Sequence, residues 1–577
     1  MQILAPGASS SLLGQIRASS LLVEAQAEGR TAPVDVLAAA RAEYGRLIGL
    51  LYEEGYFAPV IRVRIDGREA VDFSALRPPA RVSQAEIEID LGPQFAFGRA
   101  EITPLAPGTT LPSGFARGET ARSTLVRAAA GAALDGWRDQ GHALAEPAGQ
   151  EIIASHPDQR LDVLIRVAPG PQLRFGSLRP SGHERTRDRR IAQIAGLPSG
   201  ATYDPAALAE AEARLRRTGT FTSVALRPAE TANADGTIDV DALLDEAPLR
   251  RIGAGAELDS ESGLGVSGFW LHRNWLGGAE RLRFEAALTG IGARQRGLGY
   301  TLDLRYTRPA TGRPDTDVEA GARILRQDER DFVADMAKLD VRMIRRFTPQ
   351  TTGTLGLALR FERADFGLNR AIRSDFGTLG LDIGLTHDSR DSPVDPTRGL
   401  FLSGTVTPYL GFLSADNGLH LRADARAYLD PGTEGRLVLA GRAQLGAVFG
   451  AALNRTPRDL LFYSGGGGTV RGLPFRSLGV TGPGGARSGG QGFAALSAEA
   501  RARVNDSFSL VGFVDAGYVS EGAFRGADDW QAGGGIGLRY LTPIGPLRVD
   551  LAVPLRRNAT AADAGRFQFY IGIGQAF

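Results

Sequence analysis

One arginine stands apart by its setting. Arg471 lies in the run Ser464-Gly465-Gly466-Gly467-Gly468-Thr469-Val470-Arg471-Gly472-Leu473-Pro474-Phe475, where successive glycines lead into a single fixed cation. Glycine-rich turns can cradle phosphate, but that chemistry needs a Lys-Ser or Lys-Thr pair after the glycines and a strand-to-helix context, and this run has neither. A plain surface loop is one alternative. The other is a loop that folds back into a confined space and carries its guanidinium to a carboxylate, with paired hydrogen bonds that are little screened there. Two acids fit that role. Glu499 has the polar parity of a strand whose apolar positions are Leu496, Ala498, Ala500 and Ala502, and Asp515 is out of phase with Leu510, Val514 and Tyr518.

Other chemistries find little support. His142, His156, His183, His272, His387 and His420 are scattered and form no HExxH-type pair, so no metal site is expected. The absence of cysteine removes disulfides, thiolate zinc sites, iron–sulfur clusters and a cysteine nucleophile together. No G-x-S-x-G elbow is present, so no catalytic residue, cofactor or enzymatic activity is expected. With 66 basic against 65 acidic residues, the chain lacks the excess positive charge of a nucleic-acid binder.

The elements that would position Arg471 follow from a break in composition. Of 75 glycines, 23 precede residue 251 and 52 follow, and at 577 residues the chain is too long for one small core. Before the break, helices and strands alternate in three approximate copies of a β-α-α-β-β unit, over 1–91, 92–170 and 171–248. The third copy is clearest: a strand near Leu173–Leu178, a helix Asp188–Ala195 ending at Gly196, a helix entered at Asp204-Pro205, and strands Phe221–Leu226 and Ile238–Leu244. The second copy offers a helix near Thr124–Gly141. The first is diverged, with no evident strand before Leu12. Each copy has a helix that ends in glycine near an aromatic, which is ordinary helix-end packing.

From 249 to 577 the period becomes two. Leu339, Val341 and Met343 alternate with Lys338, Asp340 and Arg342, and Leu355, Leu357, Leu359 and Phe361 alternate with Gly356, Ala358, Arg360 and Glu362. No uncharged apolar stretch of 18 residues occurs, so membrane insertion would require a β-barrel. Dividing the 327 residues after 250 by about 20 per strand and turn gives roughly 16 strands. The expected fold is a set of α+β repeats followed by an all-β, antiparallel transmembrane barrel. The start MQILAPGASS lacks the basic segment and apolar run of a secretory signal, and the reading favoured is a processed chain with an added Met.

Several segments together resemble one family. They are Val470-Arg471-Gly472, Phe513-Val514-Asp515-Ala516-Gly517, the run from Gly535 to Asp550, the end Gln568–Gly574, and Asp388-Ser389-Arg390-Asp391-Ser392-Pro393 with Asp395-Pro396-Thr397-Arg398-Gly399. With three repeats before the barrel, the chain resembles the TamA branch of the BamA-like outer-membrane insertases. That resemblance implies three periplasmic polypeptide-transport-associated (POTRA) domains, an outer-membrane barrel and a lumen-inserted loop near 464–480. Arg471 would be the loop arginine, Asp515 its strand partner and Glu499 a neighbour. Leu473-Pro474 departs from the pattern, which has an aromatic after the glycine. The implied partners are the lipid bilayer, a TamB-like periplasm-spanning protein and unfolded outer-membrane clients, autotransporters among them.

The last residues carry a second signal. Phe567, Phe569, Ile571 and Ile573 alternate with Arg566, Gln568, Tyr570 and Gly572, and Phe577 follows, a pattern that resembles the terminal β-signal of bacterial outer-membrane proteins. Closing a barrel pairs the first strand with the last, so Gly253 and Gly255 on one side and Gly572 and Gly574 on the other point to a weakly held seam. A seam that parts would expose a strand edge able to template a client strand. The rival expectations are a two-partner-secretion pore, a barrel-embedded hydrolase and a passive porin.

Overall fold

The computed structural model describes residues 1–577 except 75–77, 260–262, 294–296, 433–434, 483–484, 543–544 and 558–564, and except the side chains of 257–259 and 573. Two compact units divide the chain. One holds Met1–Arg179, Leu197–Glu210 and Leu226–Ala242, and the other Pro180–Gly196, Ala211–Ala225 and Leu243–Phe577.

The first sheet runs Gln2–Leu4, Ala85–Asp90, Val60–Ile65, Arg68–Glu69 in spatial order. Its opening strand is parallel to Ala85–Asp90. This strand was not visible in the sequence because three residues between Met1 and the breaker Ala5-Pro6-Gly7 are too few to show a period. Three helices follow it, Ser10–Ser19, Leu21–Ala27 and Pro33–Glu53. The first two are capped by serine hydroxyls, with the Leu12 amide donating to Ser9 at 3.1 Å and the Val23 amide to Ser20 at 3.3 Å. Ile16, Leu47, Leu51, Val63 and Ile87 form the fully buried centre.

The second sheet has the order Ala96–Thr103, Arg160–Ala168, Glu146–Ser155. Among the described residues it carries one helix, Ser123–Asp139, where two were expected. The stretch before that helix holds Pro104, Pro107, Gly108, Pro112, Gly114 and Gly118, which favour turns over a first helix. Gly55 ends the long first-sheet helix at φ 90°, and a Cβ there would stand 2.8 Å from Thr120 and 3.1 Å from the Ala121 carbonyl, so this helix end needs glycine.

The third sheet, Arg174–Ser181, Thr237–Glu246, Phe221–Pro228, draws residues from both units and follows the β-α-α-β-β order in sequence, with helices Asp188–Ala195 and Pro205–Arg217. Asp204 caps the second helix, accepting from the Ala206 amide at 2.8 Å, and Gly196 closes the first at φ 59°.

From Arg250 the chain forms a closed barrel of sixteen antiparallel strands, each paired with its neighbour in sequence, from Arg250–Asp259 to Gln568–Ile573. The alternating pattern is turned inside out relative to a water-soluble sheet. Leu339 and Val341 are 60% and 56% exposed while Asp340 between them is 9% exposed. Leu357, Leu385, Leu496 and Ile536 continue the exposed apolar face. At about 25 cal/mol per Å², a belt of that size is unfavourable in water and at home in hydrocarbon.

Candidate functional site

The long connection between the eleventh barrel strand, Leu437–Phe449, and the twelfth, Gly492–Arg503, folds back into the lumen and carries Arg471 with it. The guanidinium meets Asp515 of the thirteenth strand, Phe508–Gly522, in a paired contact: Nε to Oδ2 at 2.7 Å and Nη2 to Oδ1 at 2.9 Å. The Arg471 amide donates to the same carboxylate at 3.1 Å. Nη1 reaches Glu499 at 2.6 Å and Asp550 of the fifteenth strand, Leu547–Arg556, at 3.5 Å. The cation also lies 3.6 Å from the centre of the Phe513 ring. Arg471 is 2% exposed and its three acids 4% or less.

Buried charges need compensation on every side. Arg501 holds the second oxygen of Glu499 at 2.9 Å, and Arg539 of the fourteenth strand, Arg525–Tyr540, holds Asp550 at 2.5 Å. Arg548 approaches the same Asp550 at 3.7 Å, so four guanidinium groups face three carboxylates. The structure brings Arg471, Glu499 and Asp515 together. Asp550, Arg501, Arg539 and Phe513 were not anticipated as members. Asp550 had a usable signal, since it falls between Val549 and Leu551 in a strand whose odd positions face outward.

Small residues let the loop approach the wall. Val470 and Leu473 are fully buried anchors on either side of the arginine. Gly472 has φ 92°, and a Cβ there would stand 2.6 Å from the Val553 carbonyl. On the facing strand, a Cβ at Gly533 would come within 1.9 Å of the Arg471 carbonyl, which the wall could not accommodate without moving the loop. The Gly472 amide donates to the Tyr570 hydroxyl at 3.2 Å, tying the loop to the last strand.

Along the described residues the seam is sparsely paired. Among the described residues the first and last strands share one ladder pair, Asp259 with Tyr570, whereas the first and second strands pair from Arg250–His272 to Asp259–Gly263. Gly253 faces Phe269, whose ring would lie 2.3 Å from a Cβ at Gly253, and Gly255 faces Ser267. Gly572 lies opposite Arg548. Four steps along from the single pair, the same register would set Gly255 against Gly574, but Gly574 lies past the strand with φ 88° and its amide donates to the Pro546 carbonyl at 2.8 Å.

Phe569 and Ile571 are exposed on the outer face, and Phe567 precedes the strand. Ile573 pairs with Leu547 through its backbone, and its side chain lies outside the described residues. Phe577 does not extend the strand. It turns inward to 7% exposure beside Tyr428, with ring centres 6.4 Å apart and the Arg501 guanidinium 5.7 Å from its ring. Gln575 accepts from Arg539 at 2.9 Å and donates to Asp395 at 2.8 Å.

An antiparallel sixteen-stranded barrel, apolar outside and pinned from within by a loop arginine, defines a membrane-spanning barrel of the bacterial outer membrane. Residues 274–577, more than half of the chain, match the Omp85 superfamily domain, and the chain belongs to that superfamily. It is 25% identical over 454 residues to the outer membrane protein assembly factor BamA of Nitratidesulfovibrio vulgaris, a match covering 76% of this chain and 56% of that relative, so the chain spans about half of it. Among solved structures, BamA from Haemophilus ducreyi lacking POTRA domains 1–3 aligns with a TM-score of 0.66 at 17% identity, over 83% of this chain and all of that one. CdiB from Acinetobacter baumannii aligns at 0.50 and 12% identity, over 83% and 90%. Both likenesses are of fold.

Proposed function

We propose that the protein is a non-enzymatic outer-membrane assembly factor of the TamA branch, which inserts or translocates client β-proteins such as autotransporters through its barrel seam. The observation that carries this reading is the seam itself, where one ladder pair stands among the described residues against full ladders elsewhere. Separating the first and last strands breaks few ladder bonds among the described residues and presents the edge of Arg250–Asp259 to an incoming strand. Segments 1–91, 92–170 and 171–248 act as periplasmic POTRA domains that receive clients or dock a TamB-like partner. Arg471 pins the loop near 464–480, and the Phe567–Phe577 segment serves as the chain's own β-signal. Similarity to a BamA assembly factor over 76% of the chain supports the assembly role.

The chain has no cysteine, so a seam lock can be introduced cleanly. Leu258→Cys with Ile571→Cys stand opposite one another in the register of the Asp259–Tyr570 pair. Oxidised double mutant should lose client insertion and regain it on reduction; full insertion by the oxidised protein would overturn the mechanism. A two-partner-secretion pore is the second reading, favoured by the fold likeness to CdiB. Such a pore would keep transporting with the seam locked.

A further inference from the structure

A cavity of 730 Å³ lies inside the barrel between the lumen loop and the wall formed by the sixth to eleventh strands. Its charge is not balanced in the way of the rest of the lumen. Arg342 is matched by Glu319 and Arg442 by Asp424, each at 2.6 Å, while Arg476 reaches Glu329 at 3.5 Å and lies over the Tyr463 ring. Two further arginines line the same space without such matches. Arg422 has no carboxylate within 4.0 Å among the described residues. Arg360 reaches only Asp459, at 3.5 Å, and its Nε is buried without an acceptor. The other acid on the cavity wall, Asp382, is engaged by the Thr407 hydroxyl at 2.7 Å.

Guanidinium donors facing a lumen cavity call for a ligand rich in oxygen acceptors, and the fork geometry of arginine suits phosphoryl oxygens. Thr378 and Thr405 add hydroxyls to the same wall, and Gly468 of the glycine run lies across from them. The space is several times larger than a bare phosphate needs, so it has room for an organic group attached to the anion. We propose that this cavity is a binding site for the phosphoryl group of a small organic phosphate or a lipid headgroup, held by Arg360 and Arg422. The site is independent of the assembly role, since none of its residues lies at the seam.

Titration calorimetry on the full chain in detergent tests it, with inorganic phosphate, glycerol 3-phosphate and dihexanoyl phosphatidylglycerol as probes and glycerol as the uncharged control. Glycerol 3-phosphate should bind and glycerol should not, with affinity falling as salt rises. Arg422→Gln, at an exposed position with no carboxylate partner among the described residues, leaves the barrel folded and should weaken binding about tenfold or more. Arg360→Gln should do the same. Comparable binding of inorganic phosphate and glycerol 3-phosphate would identify a free anion as the ligand, and a gain confined to the phosphatidyl probe and lost in Arg422→Gln would identify a headgroup. No binding of any phosphate, or binding unchanged in both variants, overturns the proposal.

Discussion

At the scale of single residues, Arg471 is worth most as the partner of groups that cannot stand alone. Its removal leaves Asp515 buried without its guanidinium partner and takes one of the two cations from Glu499. Breaking a buried pair of this kind costs about 3–5 kcal/mol. Arg471→Ala should therefore lower the barrel's unfolding midpoint, followed by the mobility shift between heated and unheated samples on a gel, and should reduce client insertion. Arg471→Lys should rescue little, because an ammonium cannot form the paired contact to Asp515 while also reaching Glu499. An unshifted midpoint in both variants would return the loop to a passive role. Strand parity, which tells inward from outward, singles out Glu499 and Asp515 in the sequence, and the glycine run singles out Arg471. Neither gave a hint of Arg501 and Arg539, since lumen arginines are frequent and parity alone does not say which of them meet.

At the scale of elements, helix ends and turns were readable and short or proline-rich stretches were not. Asp204-Pro205 and Gly196 announced their helices through capping chemistry, whereas Gln2–Leu4 was too short to have a period. One pairing of elements was beyond sequence altogether. Within the second compact unit, Arg214 and Arg217 both reach Asp315 in the turn between the fourth and fifth strands, each at 2.8 Å. Nearby, Arg190 donates to the Pro309 carbonyl at 2.6 Å and Arg187 to the Leu276 carbonyl at 2.8 Å. Burial pushes the Asp315 carboxyl up, but the hydrogen bond and charge of Arg214, joined by Arg217, outweigh it and hold the group below its ordinary value of 3.8. A carboxyl lowered on folding stabilises above its unfolded value and loses that contribution as pH falls through the folded one. Hydrogen exchange in residues 211–225 should accordingly quicken as pH drops below about 4, after correction for intrinsic rates, and Asp315→Asn should exchange fast at neutral pH with that dependence gone.

For the molecule as a whole, strand number followed from length and period, because one strand and turn of a membrane barrel consume a nearly fixed span of chain. The seam expected at Gly253, Gly255, Gly572 and Gly574 rests on closure and not on local sequence, since nothing local in Gly253 or Gly574 distinguishes a seam glycine from one that makes room for the Phe269 ring or turns the chain. The outward apolar belt yields a prediction that separates lipid from water. Leu357 is 57% exposed midway along its strand, and Leu357→Arg should cost about 2–4 kcal/mol in a urea titration of vesicle-inserted protein. At an equally exposed site of a soluble protein the same change would be nearly neutral. The lumen loop also has a consequence in time. Arg471 meets partners 28, 44 and 79 residues further along the chain, and Gly472 one that is 98 away. Contacts so distant in sequence carry a loop-closure cost in folding and tie the loop to several strands at once. Resistance from ties of this kind is measured in the half-life of the closed barrel more than in its equilibrium free energy, and a wall that parted at one line, as proposed, would leave the remainder shut for as long as that clock runs.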